Sequence, residues 1–160
     1  MEGVWINAVK SVIYVKNIRN ESLKISSVSQ MREMDRTAVE TFGIEEKLLM
    51  ENAGYAAFEV LSDKHKIENR RFAVICGIGN NGGDGFVIAR KIHSAGGYPI
   101  VFILGDKSKF KGAAKLNLDI ITKLPVKIYD VTDAKSVKKE LVHLKSLNRQ
   151  KKYTLQYSDR

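Results

Sequence analysis

The chain has 160 residues, of which 44% are hydrophobic and 28% charged, with a mean hydropathy of −0.22. This length suits one domain able to bury a core, and no apolar run approaches the ~20 residues a membrane helix needs. The net charge of +9 suggests nucleic acid until it is divided: residues 1–24 carry +2, 25–144 carry +3 and 145–160 carry +4. The excess gathers at the ends, where such residues are ordinarily solvated, and this disfavours nucleic-acid binding.

Lys10 and Lys16 interrupt the amino end, so it lacks the continuous apolar stretch of a secretory signal. The single cysteine, Cys76, cannot form an internal disulfide and fits a reducing cytoplasm. It ends an apolar run, which predicts a small buried residue and not a nucleophile.

In chain order, "SVIYV" within residues 1–24 offers an extra strand, with no turn chemistry linking it to the first helix. "SSVSQMREMDRTAVETFG" predicts that helix, opened by a Ser27–Gln30 capping box and stopped by Gly43. Met31, Met34, Ala38 and Phe42 recur on it at helical spacing. "EEKLLMENAGYAAFEVL" predicts a second helix, with Leu49, Ala53, Ala56 and Val60 on one stripe and Met31, Met34 and Met50 as core fillers. Gly54 inside it costs about 1 kcal/mol against alanine, which points to close backbone packing.

Strands and helices then alternate. "RFAVICG" is a strand, and a helix over "DGFVIARKIHSAGG" places Ile88, Ile92 and Ala95 on one face. "YPIVFIL" is a second strand, "KGAAKLNLDIITKL" a helix, "PVKIYD" a third strand and "TDAKSVKKELVHL" a further helix. Helices of this length between strands imply parallel pairing through right-handed crossovers. The expected fold is therefore α/β: a Rossmann-like, doubly wound parallel sheet in three α/β/α layers, preceded by two helices.

In such a sheet, ligands sit at the carboxyl ends of the strands. The loop after the first of these strands contains Gly77, Gly79 and Gly82 in G-x-G-x-x-G spacing, a weak signal by itself. No Lys-Ser or Lys-Thr comes after it, which excludes a Walker loop. Gly83-Asp84-Gly85 come next instead, so the helix is expected to begin near Gly85 with Asp84 as its N-cap. Asp84 would also repel a pyrophosphate laid directly on it. Asp106, after the second strand, stands where a ribose-binding acid belongs, although Gly105 precedes it. Asn80 and Asn81 each supply an acceptor oxygen and two donors, suited to a turn, a ribose, a phosphate or a hard cation. His65, His93 and His143 have no partner constellation, and no catalytic acid or base can be named.

"GIGNNGGDGFVIAR" closely resembles the signature of the NAD(P)H-hydrate epimerase family, the YjeF amino-terminal domain. "SVSQMREMDRTAVETFGI", "LLMENAG" and "GGYPIVFILGDKSKFKGAAKLNLDIITKL" resemble its opening helices and its second strand and helix, so the likeness runs over residues 25–144. It implies interconversion of the R and S forms of NADHX and NADPHX, the hydrated damage products of the reduced nicotinamide nucleotides, for a partner NAD(P)H-hydrate dehydratase. It implies that Asn80, Asn81, Gly82, Gly83 and Asp84 contact the hydrate and that Asn81 helps bind a potassium ion. Family members continue with D-A-x-F-G-T-G and D-x-P-S-G segments, neither of which is found after Leu144. Residues 1–24 and the basic 145–160 lie outside the resemblance. The expectation is the first half of a domain, marginally folded and with little or no epimerase activity. A non-catalytic nucleotide- or protein-binding module and a fragment of an NAD-binding oxidoreductase are the competing readings. A homo-oligomer is left open.

Overall fold

The computed structural model describes residues 4–7 and 26–132. The elements run β1 (Val4–Asn7), α1 (Val28–Glu40), α2 (Glu46–Lys64), β2 (Arg71–Gly77), α3 (Asn80–Ser94), β3 (Tyr98–Leu104), α4 (Gly112–Ile121) and β4 (Lys127–Val131). The four strands form one sheet in the order β1-β2-β3-β4, every pairing parallel. β2 pairs with β3 along its whole length, Arg71 opposite Tyr98 and Gly77 opposite Leu104. β1 aligns Val4–Asn7 with Phe72–Ile75, an edge strand the sequence pattern had not assigned. "SVIYV" and the helix expected beyond Thr132 lie outside the described residues.

Alternation along β2 sends Phe72, Val74 and Cys76 to one face, where they join Val101 and Ile103 of β3. α3 lies on this face through Phe86, Val87, Ala89 and Ile92, with α2 and α4 completing the same core through Phe58, Leu118 and Ile121. The other face buries Ile100, Phe102 and Val131, with Tyr129 stacked on Phe102 at 5.4 Å. Both faces of the central strand β3 are thus covered, as a parallel sheet requires. The Rossmann-like α/β expectation is borne out.

Two helices differ from their predicted packing. α1 has its capping box, Gln30 N–H to Ser27 Oγ at 3.2 Å and Ser27 N–H to Gln30 Oε1 at 2.8 Å. It nevertheless buries no residue, and Met34 and Phe42 are exposed rather than internal. In α2 the buried stripe is Met50, Gly54 and Phe58, none of which belongs to the predicted stripe of Leu49, Ala53, Ala56 and Val60. Gly54 decides that register, because a Cβ there would lie 2.5 Å from Val87 Cβ, so this edge of α2 must face α3. Met50 is a core filler, as expected; Ala95 is exposed, whereas Ile88 and Ile92 are buried.

A polar network ties the three helices together behind the core. Arg90 of α3 donates to Glu51 Oε2 of α2 at 2.5 Å and to Asn117 Oδ1 of α4 at 2.7 Å. Asn117 is buried and donates onward to the Ala113 carbonyl at 3.0 Å. Lys91 adds a second cation to Glu51 at 2.9 Å. Burial pushes the Glu51 carboxyl up, but the hydrogen bonds and charges of Lys91 and Arg90 outweigh it and hold the group below its ordinary value.

Candidate functional site

β2 ends at Gly77, and the chain turns through Ile78 and Gly79 into α3. Gly79 is the N-cap at φ +122° and ψ −167°, a conformation that glycine alone adopts readily. The first helical bond closes from Gly83 N–H to the Gly79 carbonyl at 3.2 Å. The amides of Asn80, Asn81 and Gly82 precede that bond, so they form the open, positive end of α3.

The helix thus begins five residues earlier than predicted. Asp84 is not its N-cap; it is half-buried in the second turn and is engaged by an interaction of its own. Packing explains the early start. A Cβ on Gly82 would sit 1.9 Å from the Gly77 carbonyl oxygen, one on Gly83 2.5 Å from Met50 Sδ, and one on Gly85 2.6 Å from Cys76 Sγ. Gly82 and Gly85 let α3 press onto the end of β2, and Gly83 lets it approach α2. Gly82 therefore does what the third glycine of a dinucleotide fingerprint does, contrary to the expectation that Gly83-Asp84-Gly85 would displace it. Asp84 is correspondingly about a turn removed from any anion at the amides of Asn80–Gly82, so its repulsion is weaker than the sequence suggested.

The structure gathers the sequence-predicted residues in two layers. Asn80 and Asn81 are exposed at the mouth of the turn, and neither carboxamide hydrogen-bonds another described residue. Gly82, Gly83 and Asp84 lie behind them in the helix, with both glycines buried. Phe110 closes the floor, edge-on to Phe86 at 5.1 Å, with its ring beside Gly82.

The end of β3 borders this turn. Gly105, at φ +111°, leaves room for Ile78, whose Cγ1 would stand 3.0 Å from a Cβ there. Asp106 comes next and caps a short 3-10 turn (Lys107–Lys109), accepting from Ser108 N–H at 2.9 Å and Ser108 Oγ at 2.7 Å. These two bonds hold its carboxyl below the ordinary value. Lys107 reaches Asp130 at the end of β4 at 2.5 Å.

The remaining candidates stand apart. Cys76 is fully buried, and desolvation pushes its thiol up to about 12, so it cannot serve as a nucleophile near neutral pH. His65 is exposed at the end of α2 and His93 is half-buried near the far end of α3; His143 lies outside the described residues. Among the described residues no cluster of three His, Cys, Asp or Glu side chains could hold a metal ion. A monovalent cation held by carboxamide and carbonyl oxygens involves a different donor set, which Asn81 fits. Sequence reasoning missed the Glu51–Arg90–Asn117 network. The only trace of it was a polar residue in the otherwise apolar spacing of "LNLDII".

Residues 46–151, well over half of the chain and including the whole turn, match the model of the YjeF-related protein N-terminus. The chain belongs to this family. The match begins at α2 and runs beyond Leu144. A relative from Thermofilum pendens, named a bifunctional NAD(P)H-hydrate repair enzyme Nnr, is 36% identical over 121 residues, which are 74% of this chain and 23% of the relative. An NAD(P)H-hydrate epimerase from Pirellula staleyi is 38% identical over 102 residues, 63% of this chain and 44% of the relative. The crystal structure of yeast ynu0 superposes with a TM-score of 0.60 at 25% identity, covering 72% of this chain and 51% of that one. The chain thus spans about half or less of the length of these relatives. No helix among the described residues is long and apolar enough to cross a membrane.

Proposed function

We propose that this family member binds hydrated nicotinamide nucleotides, NADHX and NADPHX, and serves the interconversion of their R and S forms. The observation that carries the reading is the turn from Gly77 to Gly82. Its open amides suit the pyrophosphate, while two exposed carboxamides with no hydrogen-bond partner among the described residues stand beside them. Asn80 and Asn81 would orient the ribose or the hydrated ring, and the buried Gly82 and Gly83 would admit the ligand close to the backbone. Asp84, half-buried in the second helical turn, would complete the contacts to the hydrate. Epimerisation at the carbon bearing the hydroxyl requires opening and re-closing a C–O bond with proton transfer; no described side chain is assigned that proton.

Asn81 would offer its side-chain oxygen to a potassium ion, a hard cation that prefers oxygen donors. The bifunctional names of relatives support a dehydratase as the functional partner. A cytoplasmic setting is part of this reading, because the single cysteine, Cys76, cannot form an internal disulfide.

The test is calorimetry with ADP-ribose together with an assay of R–S exchange in NADHX. Binding that weakens about tenfold in Asn81→Ala, the cost of one lost hydrogen bond to a charged or well-placed group, supports the site. Binding without exchange would make the chain a nucleotide-binding module, and redox turnover with NAD would return it to the dehydrogenases. For the cation, melting temperatures in potassium and in a large non-coordinating cation are compared at equal ionic strength. A potassium-specific rise abolished by Asn81→Ala supports the assignment, and a rise that survives the substitution moves the cation elsewhere.

A further inference from the structure

β2, α3 and β3 form one βαβ unit whose glycine turn and second strand end lie side by side, through the contact of Ile78 with Gly105. In a unit of this geometry an acid at the end of the second strand, about 20 residues past the glycines, accepts the adenosine ribose hydroxyls. Asp106 occupies that place, two residues beyond the Gly77–Leu104 pair. Both Ser108 bonds fall on Oδ1, and no hydrogen bond to another described residue falls on Oδ2. One oxygen therefore anchors the carboxylate while the second is left for a ligand hydroxyl. The Ser108 bonds, aided by the charge of Lys109, hold the carboxyl below its ordinary value.

We propose that Asp106 sets the specificity of this site, favouring a nucleotide with a free ribose 2′-hydroxyl (NADHX) over its 2′-phosphorylated counterpart (NADPHX). The proposal rests on the glycine turn being the nucleotide site. A 2′-hydroxyl donates to the carboxylate, whereas a 2′-phosphate brings a second anion against it and has no proton to give at that point. Of the neighbouring cations, Lys107 is already paired with Asp130. Lys109 is the one that would compete to accept a phosphate.

The test measures binding of ADP-ribose and of 2′-phospho-ADP-ribose to the full chain, to Asp106→Asn, to Lys109→Ala and to Asn81→Ala. Asparagine keeps the oxygen that Ser108 uses, so the 3-10 turn stays capped. The wild-type chain should bind ADP-ribose at least about tenfold more tightly, and Asp106→Asn should narrow that gap chiefly by improving the 2′-phosphorylated ligand. Equal affinities in the wild type, or an Asp106→Asn change that moves both ligands alike, overturn the proposal. So does a wild-type preference for the phosphate that Lys109→Ala removes. If in those cases Asn81→Ala still weakens both ligands, the glycine turn stands as the site and only the role of Asp106 falls. Failure of both ligands to bind the wild-type chain overturns both.

Discussion

α1 and α3 are both helices of ordinary length, and they are held by opposite means. α1 carries a complete capping box and an Arg36 that pairs with Glu33 and Glu40, yet none of its residues is buried. α3 opens on a glycine cap with no side-chain bond and has three glycines in its first turns, yet eight of its residues are buried. Each of those glycines costs about 1 kcal/mol of helix propensity. Burying Phe86, Val87, Ile88 and Ile92, at about 1.5–3 kcal/mol for each large side chain, more than offsets that cost. α1 is a helix because of its own sequence; α3 is one because of what it touches, and the candidate site is built on the second kind.

The sharpest way to break this comparison is Gly82→Ala. Its Cβ would meet the Gly77 carbonyl at 1.9 Å, a backbone atom that cannot move aside, so a loss of about 4 kcal/mol or more is expected. A urea unfolding midpoint close to the parent's would show that α3 is not pressed onto β2. Gly85→Ala should cost less, about 1–3 kcal/mol, because the obstructing atom is the Cys76 thiol. Adding Cys76→Ala removes that atom, and the double variant should recover about 1 kcal/mol relative to the sum of the single changes. Strict additivity would mean the two residues do not compete for the same space.

Glu51→Gln probes how α3 is held from behind. Because the folded Glu51 carboxyl is held below its ordinary 4.5, its contribution is fully present above that value and disappears as pH falls through the lower folded value. The variant should be less stable than the parent at pH 7, and the gap should close as the pH drops below about 4.5. A gap that is constant with pH would assign the effect to packing and not to charge. The smallest change is expected in α1, where Met34→Ser, at a side chain that is 52% exposed, should alter stability by no more than about 0.5 kcal/mol. A larger loss in a thermal melt would reveal a buried role for this helix.

The strand limits were legible because buried parallel strands read as short apolar runs: "YPIVFIL" corresponds residue for residue to β3. The Ser27 cap and the Gly43 stop, at φ +66°, were equally local and equally legible. β1 was missed because four residues of an edge strand carry no periodicity that distinguishes them. The inward face of α2 was misread because Gly54, the residue that sets its inward edge, contributes no hydrophobic signal.

The sequence by itself determined the order of strands and helices, the parallel connectivity they imply and the residues of the glycine turn. These depend on interactions within a few residues or on periodic burial. Only the tertiary structure decided where α3 begins, that Asp84 lies inside it, and that Asp106 borders the turn. Each of those outcomes depends on a contact between segments distant in the chain: Gly82 with the end of β2, Gly83 with Met50, and Ile78 with Gly105. A local pattern weighs Gly-Gly-Asp-Gly as a helix breaker, because it counts the entropy glycine costs and not the close approach that only glycine permits.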